Sequence, residues 1–140
     1  MASAESKANM RRIPLEIFNQ GNLAVVDEVV APDYIEHALP PGFPSGLEGL
    51  KVFVSAVRAA FPDYHYTIDD EVTEGDTVVQ RLTARGTMTG AFMGMPATGK
   101  SATWTEIHIA RVANGKLTEH WSNIDQLGML QQLGVIPTPG

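Results

Sequence analysis

The chain has 140 residues, a length that predicts a single domain over residues 1–140. Hydrophobic residues make up 44% of it, and its 16 acidic and 10 basic residues give a formal charge of −6. The absence of cysteine excludes disulfides, thiolate metal sites and a cysteine nucleophile. The excess of acidic residues argues against nucleic-acid binding. No apolar stretch reaches the roughly 20 residues of a membrane span. The N-terminus lacks a signal-peptide pattern, so we expect a cytoplasmic protein.

The first half of the chain predicts helices. Apolar residues recur at helical spacing over residues 10–18, where Pro14 either kinks the helix or begins it. A short second helix is expected to start at Asn22, as its cap, and to end before Pro32. After a loop rich in proline and glycine, residues 50–61 have the apolar spacing of an amphipathic helix.

The second half predicts strands, because polar and apolar residues alternate in segments 64–68, 77–87, 103–112 and 116–124. Gly75 and the pair Asn114-Gly115 mark two hairpin turns. Residues 88–100 are too rich in glycine and proline for a strand and are typical of a mobile flap. A short last helix is expected after Asp125, its N-cap, with Leu127, Leu130 and Leu133 on its apolar face.

Helices followed by strands are typical of an α+β fold. We expect three N-terminal helices packed on one face of a curved antiparallel sheet, which together form a cone with a pocket inside.

Short segments along nearly the whole chain carry a family resemblance: FNQGN at 18–22, APDY at 31–34, AFPD at 60–63, EGD at 74–76, GT at 86–87, GMPATGK at 94–100, GKL at 115–117, EHW at 119–121 and QLG at 132–134. In these segments the chain resembles the SnoaL-like polyketide cyclases of the nuclear transport factor 2-like superfamily. The resemblance implies a cone-shaped α+β barrel with an apolar pocket, assembled through its sheet as a homo-oligomer, a dimer or a tetramer. It also implies ring closure by an intramolecular aldol reaction without a metal or organic cofactor.

The register of the last hairpin is open from the residues alone. A two-residue turn at Asn114-Gly115 places His108 opposite Trp121. A three-residue turn with a bulge at Gly115 instead places His108 opposite His120, and Glu106 opposite Ser122. The resemblance favours the second register, because it implies a functional acid at the position of Ser122 that shares a face with Glu106 and His108.

At two predicted site positions this sequence differs from the aldol cyclases that it resembles. His108 matches a histidine of the aldol cyclases, but Glu106 stands where they carry an amide, and Ser122 stands where they carry the acid/base aspartate. A serine hydroxyl does not titrate near neutral pH, so the family's mechanism cannot apply unchanged. We therefore predict Glu106 and His108 as the acid/base pair, with His120 as a further catalytic candidate or an ordinary strand residue.

The remaining candidates are substrate-binding. We expect an apolar wall with Ser122 as polar support and His37 either at the pocket rim or in a structural hydrogen bond; the wall residues are Phe18, Phe53, Met88, Phe92 and Trp104. The four histidines lie on separate elements, which argues against a metal site, and no helix follows the glycine-rich segment as a nucleotide loop requires, so no cofactor is expected.

Two functions are compatible with these residues. The first is cofactor-independent acid/base catalysis, of cyclase or isomerase type, on a small apolar carbonyl-bearing ligand such as a polyketide or steroid. The second is a non-catalytic small-molecule binding or carrier domain of the same fold, which the serine at position 122 favours.

Overall fold

The computed structural model describes residues 3–138, and its helices and strands are α1 (Ala4–Arg12) continued by a π-helical segment (Ile13–Phe18), α2 (Ala24–Val29), β1 (Val30–Glu36), α3 (Gly46–Ala60), β2 (His65–Glu74), β3 (Thr77–Thr87), β4 (Ser101–Ala113), β5 (Lys116–Ile124) and α4 (Gln126–Gln132). The strands form one sheet in the order β1-β5-β4-β3-β2. The predicted α+β class is confirmed. The predicted antiparallel pairing is confirmed for β2 to β5, and the unpredicted β1 makes the sheet mixed, because it runs parallel to β5.

Strand β1 was not predicted from the sequence. Val30 was expected in the second helix and Pro32 at that helix's end, whereas α2 stops at Val29 and the chain extends from Val30. Proline cannot donate a hydrogen bond to a strand ladder, and it is therefore tolerated on edge strands. Pro32 is exposed on β1, which is an edge strand of the sheet. It is therefore compatible with a strand here, although in the sequence it indicated only the end of a helix.

The first helix begins earlier than predicted. Ser3 caps α1 by accepting a hydrogen bond from the amide of Ser6 at 3.0 Å. Pro14 therefore does not begin the helix; it lies in the π-helical segment that continues α1. Gly21, with a φ of 70°, follows that segment and supplies the left-handed backbone conformation that often ends a helix. Asn22 does not cap the second helix with its side chain, since the residue at the cap position is Leu23 and no side-chain bond is present there.

The predicted hairpins, the strandless segment and the last helix are confirmed. Gly75 lies in the β2–β3 turn, and residues 88–100 contain one isolated bridge, between Phe92 and Met95. Asp125 caps α4 by accepting from the amide of Gly128 at 3.0 Å. The predicted apolar face of α4 is partly wrong, because Leu127 is 58% exposed and Met129 is buried instead.

The helices cover one face of the sheet and enclose the core with it. Along β4, Trp104 and Glu106 point to this covered face and are buried, while the alternating Ile107 and Ile109 are exposed on the other face. None of the helices within residues 3–138 combines the length and the apolarity needed to cross a membrane.

Two side-chain amides attach helical segments to the sheet. The Asn19 side chain accepts from the amide of Tyr66 at 2.7 Å and donates to the carbonyl of Tyr66 at 3.0 Å. The Gln132 side chain makes the same pair of bonds to Thr103, at 2.9 and 2.8 Å. Each amide therefore acts as the missing strand partner for one residue, which satisfies backbone groups that would otherwise lack a partner.

We expect Asn19→Ala to lower the free energy of unfolding by about 1–3 kcal/mol, because it leaves both backbone groups of Tyr66 without these bonds. Urea unfolding followed by circular dichroism measures the change. Gln20→Ala, at the exposed neighbouring position, is the matched control. Equal stability of the two variants would contradict the proposed attachment.

Candidate functional site

A cavity of about 390 Å³ lies between the helices and the covered face of the sheet. Aromatic side chains from the helical part, the flap segment and the sheet line it, among them Phe18, Phe53, Phe92 and Trp104. This volume lies in the range of small-molecule pockets, which combine an apolar lining with a few polar groups that orient the ligand.

The polar wall of the cavity is one continuous row of hydrogen bonds. Oε1 of Glu106 lies 2.7 Å from Nε2 of His108, and Nδ1 of His108 lies 2.9 Å from Nε2 of His120. Nδ1 of His120 lies 2.6 Å from Oε2 of Glu36. These four residues, Glu106, His108, His120 and Glu36, are called the acid–histidine chain below. It joins β4, β5 and β1 across the sheet, with a carboxyl group at each end.

Glu106 is only 5% exposed, yet three groups donate hydrogen bonds to it. Tyr66 donates its hydroxyl to Oε1 at 2.7 Å, Trp104 donates its indole N–H to Oε2 at 2.7 Å, and His108 is the third donor. Burial by itself raises the pKa of Glu106, but the hydrogen bond and charge of His108, together with Tyr66 and Trp104, outweigh it and lower that pKa. Glu106 is therefore a carboxylate whose two oxygens are both engaged.

The tyrosine beside Glu106 remains a donor. Burial, together with the nearby charge of Glu106, raises the pKa of Tyr66 well above its usual value. The phenol of Tyr66 therefore stays protonated and donates a hydrogen bond to the carboxylate. Since Asn19 fixes the backbone of Tyr66, the helix attachment also supports the carboxylate.

A bulge in β5 decides which of its residues face the cavity. The turn at Asn114-Gly115 has two residues, both with positive φ, as in the first of the two predicted registers. The pairing then shifts by one residue between Val112 and Arg111, so that Thr118 is extra on β5. His108 consequently lies opposite Ser122, and neither predicted register describes this part of the hairpin.

The shifted register still brings most predicted site residues together. His120 shares the cavity face with His108 and Glu106 and bonds to His108. Ser122 lines the cavity beside them.

Two predicted binding residues lie elsewhere. The ring of His37 stacks on Trp121, with centroids 4.9 Å apart, and its Nε2 bonds to Glu119 at 2.7 Å. This contact is on the opposite face of β5 from His120. Of the two predicted positions for His37, the structure therefore shows the structural hydrogen bond and not the pocket rim. Met88 is fully buried in the core and is not part of the cavity lining.

Glu36 and Gln80 are among the polar residues of the cavity that were not predicted from the sequence. Glu36 was missed because its strand was not recognised. Gln80 is 6% exposed, lines the cavity and lies opposite His108 on β3. Its signal was present, because Gln80 interrupts an inward row of apolar residues on β3, and a buried amide in such a row needs a partner. That partner is Glu71, at 3.0 Å from its Nε2.

No group of three or more residues placed to hold a metal ion occurs among residues 3–138. Within the acid–histidine chain, all four imidazole nitrogens have a hydrogen-bond partner. Its chemistry is that of carboxylate and imidazole groups close together at the wall of an apolar cavity.

Comparison with known protein families gives one clear match. A family model described as SnoaL-like polyketide cyclase matches residues 8–133. Nogalonic acid methyl ester cyclase of Streptomyces nogalater is 33% identical over 119 residues, which cover 84% of this chain and 89% of that protein. Aklanonic acid methyl ester cyclase DnrD of Streptomyces peucetius is 31% identical, with 96% of this chain and 95% of that protein covered.

Solved structures agree with the family match. TsrD from Streptomyces laurentii superposes with a TM-score of 0.87 at 29% identity, covering 97% of this chain and 99% of that chain. Wild-type IdmH from Streptomyces antibioticus superposes with a TM-score of 0.79 at 37% identity, covering 93% of this chain and 99% of that chain.

We expect Glu106→Gln to destabilise the protein more at neutral pH than in acid. The pKa of Glu106 is lower in the folded protein than in the unfolded chain, so its ionised form stabilises the fold above the usual glutamate range. This stabilisation is lost as the pH falls through the folded value. Urea unfolding of both proteins from pH 7 to pH 3 measures the difference, expected at about 1–3 kcal/mol at pH 7.

Glu74→Gln, at an exposed position of the β2–β3 hairpin, controls for the chemical change. A difference between wild type and Glu106→Gln that stays constant from pH 7 to pH 3 would contradict the role of the buried carboxylate.

Proposed function

The chain belongs to the SnoaL-like polyketide cyclase family, and on this premise we propose that it closes a ring in a small carbonyl-bearing, polyketide-type substrate by acid/base catalysis without a cofactor. The observation that carries the proposal is the acid–histidine chain on the wall of an otherwise largely apolar cavity. Ring closure between two carbonyl groups requires a base for a carbon-bound proton and a proton donor for an oxygen, and imidazole performs both tasks near neutral pH.

The reaction we propose is an intramolecular aldol addition. The imidazole pair of His108 and His120 takes a proton from the carbon next to one carbonyl, and the resulting enolate carbon bonds to a second carbonyl carbon of the same molecule. The oxygen of that second carbonyl receives a proton from the pair. The product has the same mass as the substrate, because the proton that leaves the carbon is balanced by the one that the oxygen gains.

The proton transfer is assigned to the imidazole pair and not to Glu106. The hydrogen bonds that its two oxygens accept from Tyr66, Trp104 and His108 lower the pKa of Glu106 and make its carboxylate a weak base. Its role is to orient His108 and to stabilise positive charge on it. The histidine pair thereby supplies the titratable group that Ser122, at the position implied for the family's aspartate, does not provide, and the Ser122 hydroxyl is available as a donor to a substrate oxygen.

The relatives and the cavity support the substrate class that we propose. The two related cyclases are named for the methyl esters of nogalonic acid and aklanonic acid. A methyl ester group carries no charge, unlike the free acid, and therefore suits a cavity with an aromatic lining and two carboxyl groups on one wall. We therefore propose both methyl esters as first substrates.

We expect the purified protein to convert at least one of these two esters to an isomer of equal mass and different chromatographic retention. His108→Ala and His120→Ala should each lower turnover by about a hundredfold or more. Liquid chromatography with mass spectrometry measures the conversion, and His65→Ala, at an exposed histidine outside the cavity, is the matched control.

Unchanged turnover in the His108 and His120 variants would overturn the assignment of the imidazole pair. Binding of the esters without conversion, detected as a raised melting temperature, would favour the second function, a small-molecule binding or carrier domain.

We also propose that the protein forms a homo-oligomer through the outer face of its sheet. Ile107 and Ile109 are 48% and 36% exposed there, and exposed apolar patches favour association. Ile107→Lys combined with Ile109→Lys should therefore reduce the mass measured by size-exclusion chromatography with light scattering. A wild-type protein that is monomeric at micromolar concentration would contradict this proposal.

A further inference from the structure

We infer that Glu36 is a positioning residue which, together with Glu106, holds one additional proton on the pair of His108 and His120. The inference deepens the proposed function: the catalytic use of this proton rests on that function, whereas the presence of the proton rests on the hydrogen-bond geometry alone. Glu36 lies outside every sequence motif on which the predicted site depends.

The acid–histidine chain needs more protons than its neutral form can supply. It contains three hydrogen bonds, between Glu106 and His108, between His108 and His120, and between His120 and Glu36. Each hydrogen bond needs one proton between its two heavy atoms. A carboxylate supplies none and a neutral imidazole supplies one, so two carboxylates and two neutral imidazoles supply two protons for three bonds.

With two protons, one contact would bring two acceptors together. If both histidines donate to their carboxylates, Nδ1 of His108 and Nε2 of His120 face each other as lone pairs at 2.9 Å. If either histidine turns its proton to the other ring, a bare nitrogen faces a carboxylate oxygen at 2.6 or 2.7 Å. A third proton removes these repulsions, and the two histidines then share one positive charge between two carboxylates.

The position of Glu36 suits this role. Glu36 lies directly opposite His120 in the parallel pairing of β1 with β5, so both side chains share the cavity face. Its Oε2 also accepts from the amide of Ala38 at 2.9 Å, and its Oε1 lies 3.4 Å from the hydroxyl of Tyr34. A backbone amide can only donate, so Oε2 of Glu36 is the acceptor in this bond.

The other titratable groups around the pair do not supply the charge. Tyr34 contacts Glu36, and Tyr64 lines the cavity. The ring of Tyr66 packs against that of His108, with the two ring centroids 6.1 Å apart. Burial raises the pKa of all three phenols, so they remain protonated and neutral. No lysine or arginine is among the described residues that line the cavity. The two carboxylates are therefore the charges that the pair faces.

The additional proton couples the two proton transfers of the proposed reaction. With three protons the acid–histidine chain is a donor, because every imidazole nitrogen already holds or receives one. The pair therefore accepts the proton released from carbon only as it delivers one to the oxygen of the second carbonyl. The acid–histidine chain again holds three protons after each ring closure, so the proton count balances without another reactant.

The test is nuclear magnetic resonance of the protein labelled with ¹⁵N-histidine, without substrate. In the wild type at pH 7 we expect a slowly exchanging imidazole proton, far downfield of the amides, that couples to ring nitrogens of His108 and His120. In Glu36→Gln the amide oxygen can still accept from His120, but one negative charge is lost. The downfield proton should therefore disappear at a pH about one unit or more below that in the wild type.

Glu119→Gln is the matched control, because it removes the carboxylate that bonds to His37 outside the cavity. This variant should leave the downfield proton unchanged. Glu36→Gln with the wild-type pH dependence would overturn the role of Glu36.

The wild type alone also decides the proton count. Two neutral rings, without a shared proton at any pH between 5 and 8, would overturn the inference even if Glu36→Gln did not fold. An intact shared proton in a protein that converts neither methyl ester would instead overturn the proposed function and leave the proton assignment standing.

Discussion

The carboxylate of Glu106 is a charge at 5% exposure among aromatic side chains, and the surrounding architecture meets the cost of that burial. An unpaired buried carboxylate is strongly destabilising, so donors must reach it from several directions. Tyr66 reaches it from β2, and Trp104 and His108 reach it from β4 itself. Loss of any one donor would leave the carboxylate less well compensated and the fold around the cavity weaker.

This requirement extends to elements that do not touch Glu106. Tyr66 is in place because Asn19, at the end of the first helical stretch, pairs with its backbone. His108 is oriented between Glu106 and His120, and His120 is in turn held by Glu36 on the edge strand. The acid–histidine chain thus couples the chemistry of the cavity to the docking of a helix and to an edge strand of the sheet.

The single bulge in β5 has a large effect on the site. Side chains alternate between the two faces of a strand, so one extra residue changes which later residues point into the cavity. Beyond Thr118, His120 and Ser122 face inward, and Glu119 and Trp121 face outward with His37 stacked on Trp121. The same insertion therefore brings His120 to His108 and places Trp121, on which His37 stacks, on the outer face.

The sequence by itself determined the α+β class, the hairpins, the cap at Asp125, the family resemblance and the presence of Glu106 and His108 on one face of a strand. These features depend on local patterns: alternation, turn residues and short motifs. The tertiary structure alone decided the edge strand β1, the shifted register and the contact of His120 with Glu36. A parallel pairing between residues 84 positions apart leaves no periodic trace in the sequence, and a bulge is a property of two strands together. The sequence therefore determined that Glu106 and His108 share one face of a strand, and the pairing of distant strands decided that two carboxylates enclose two histidines.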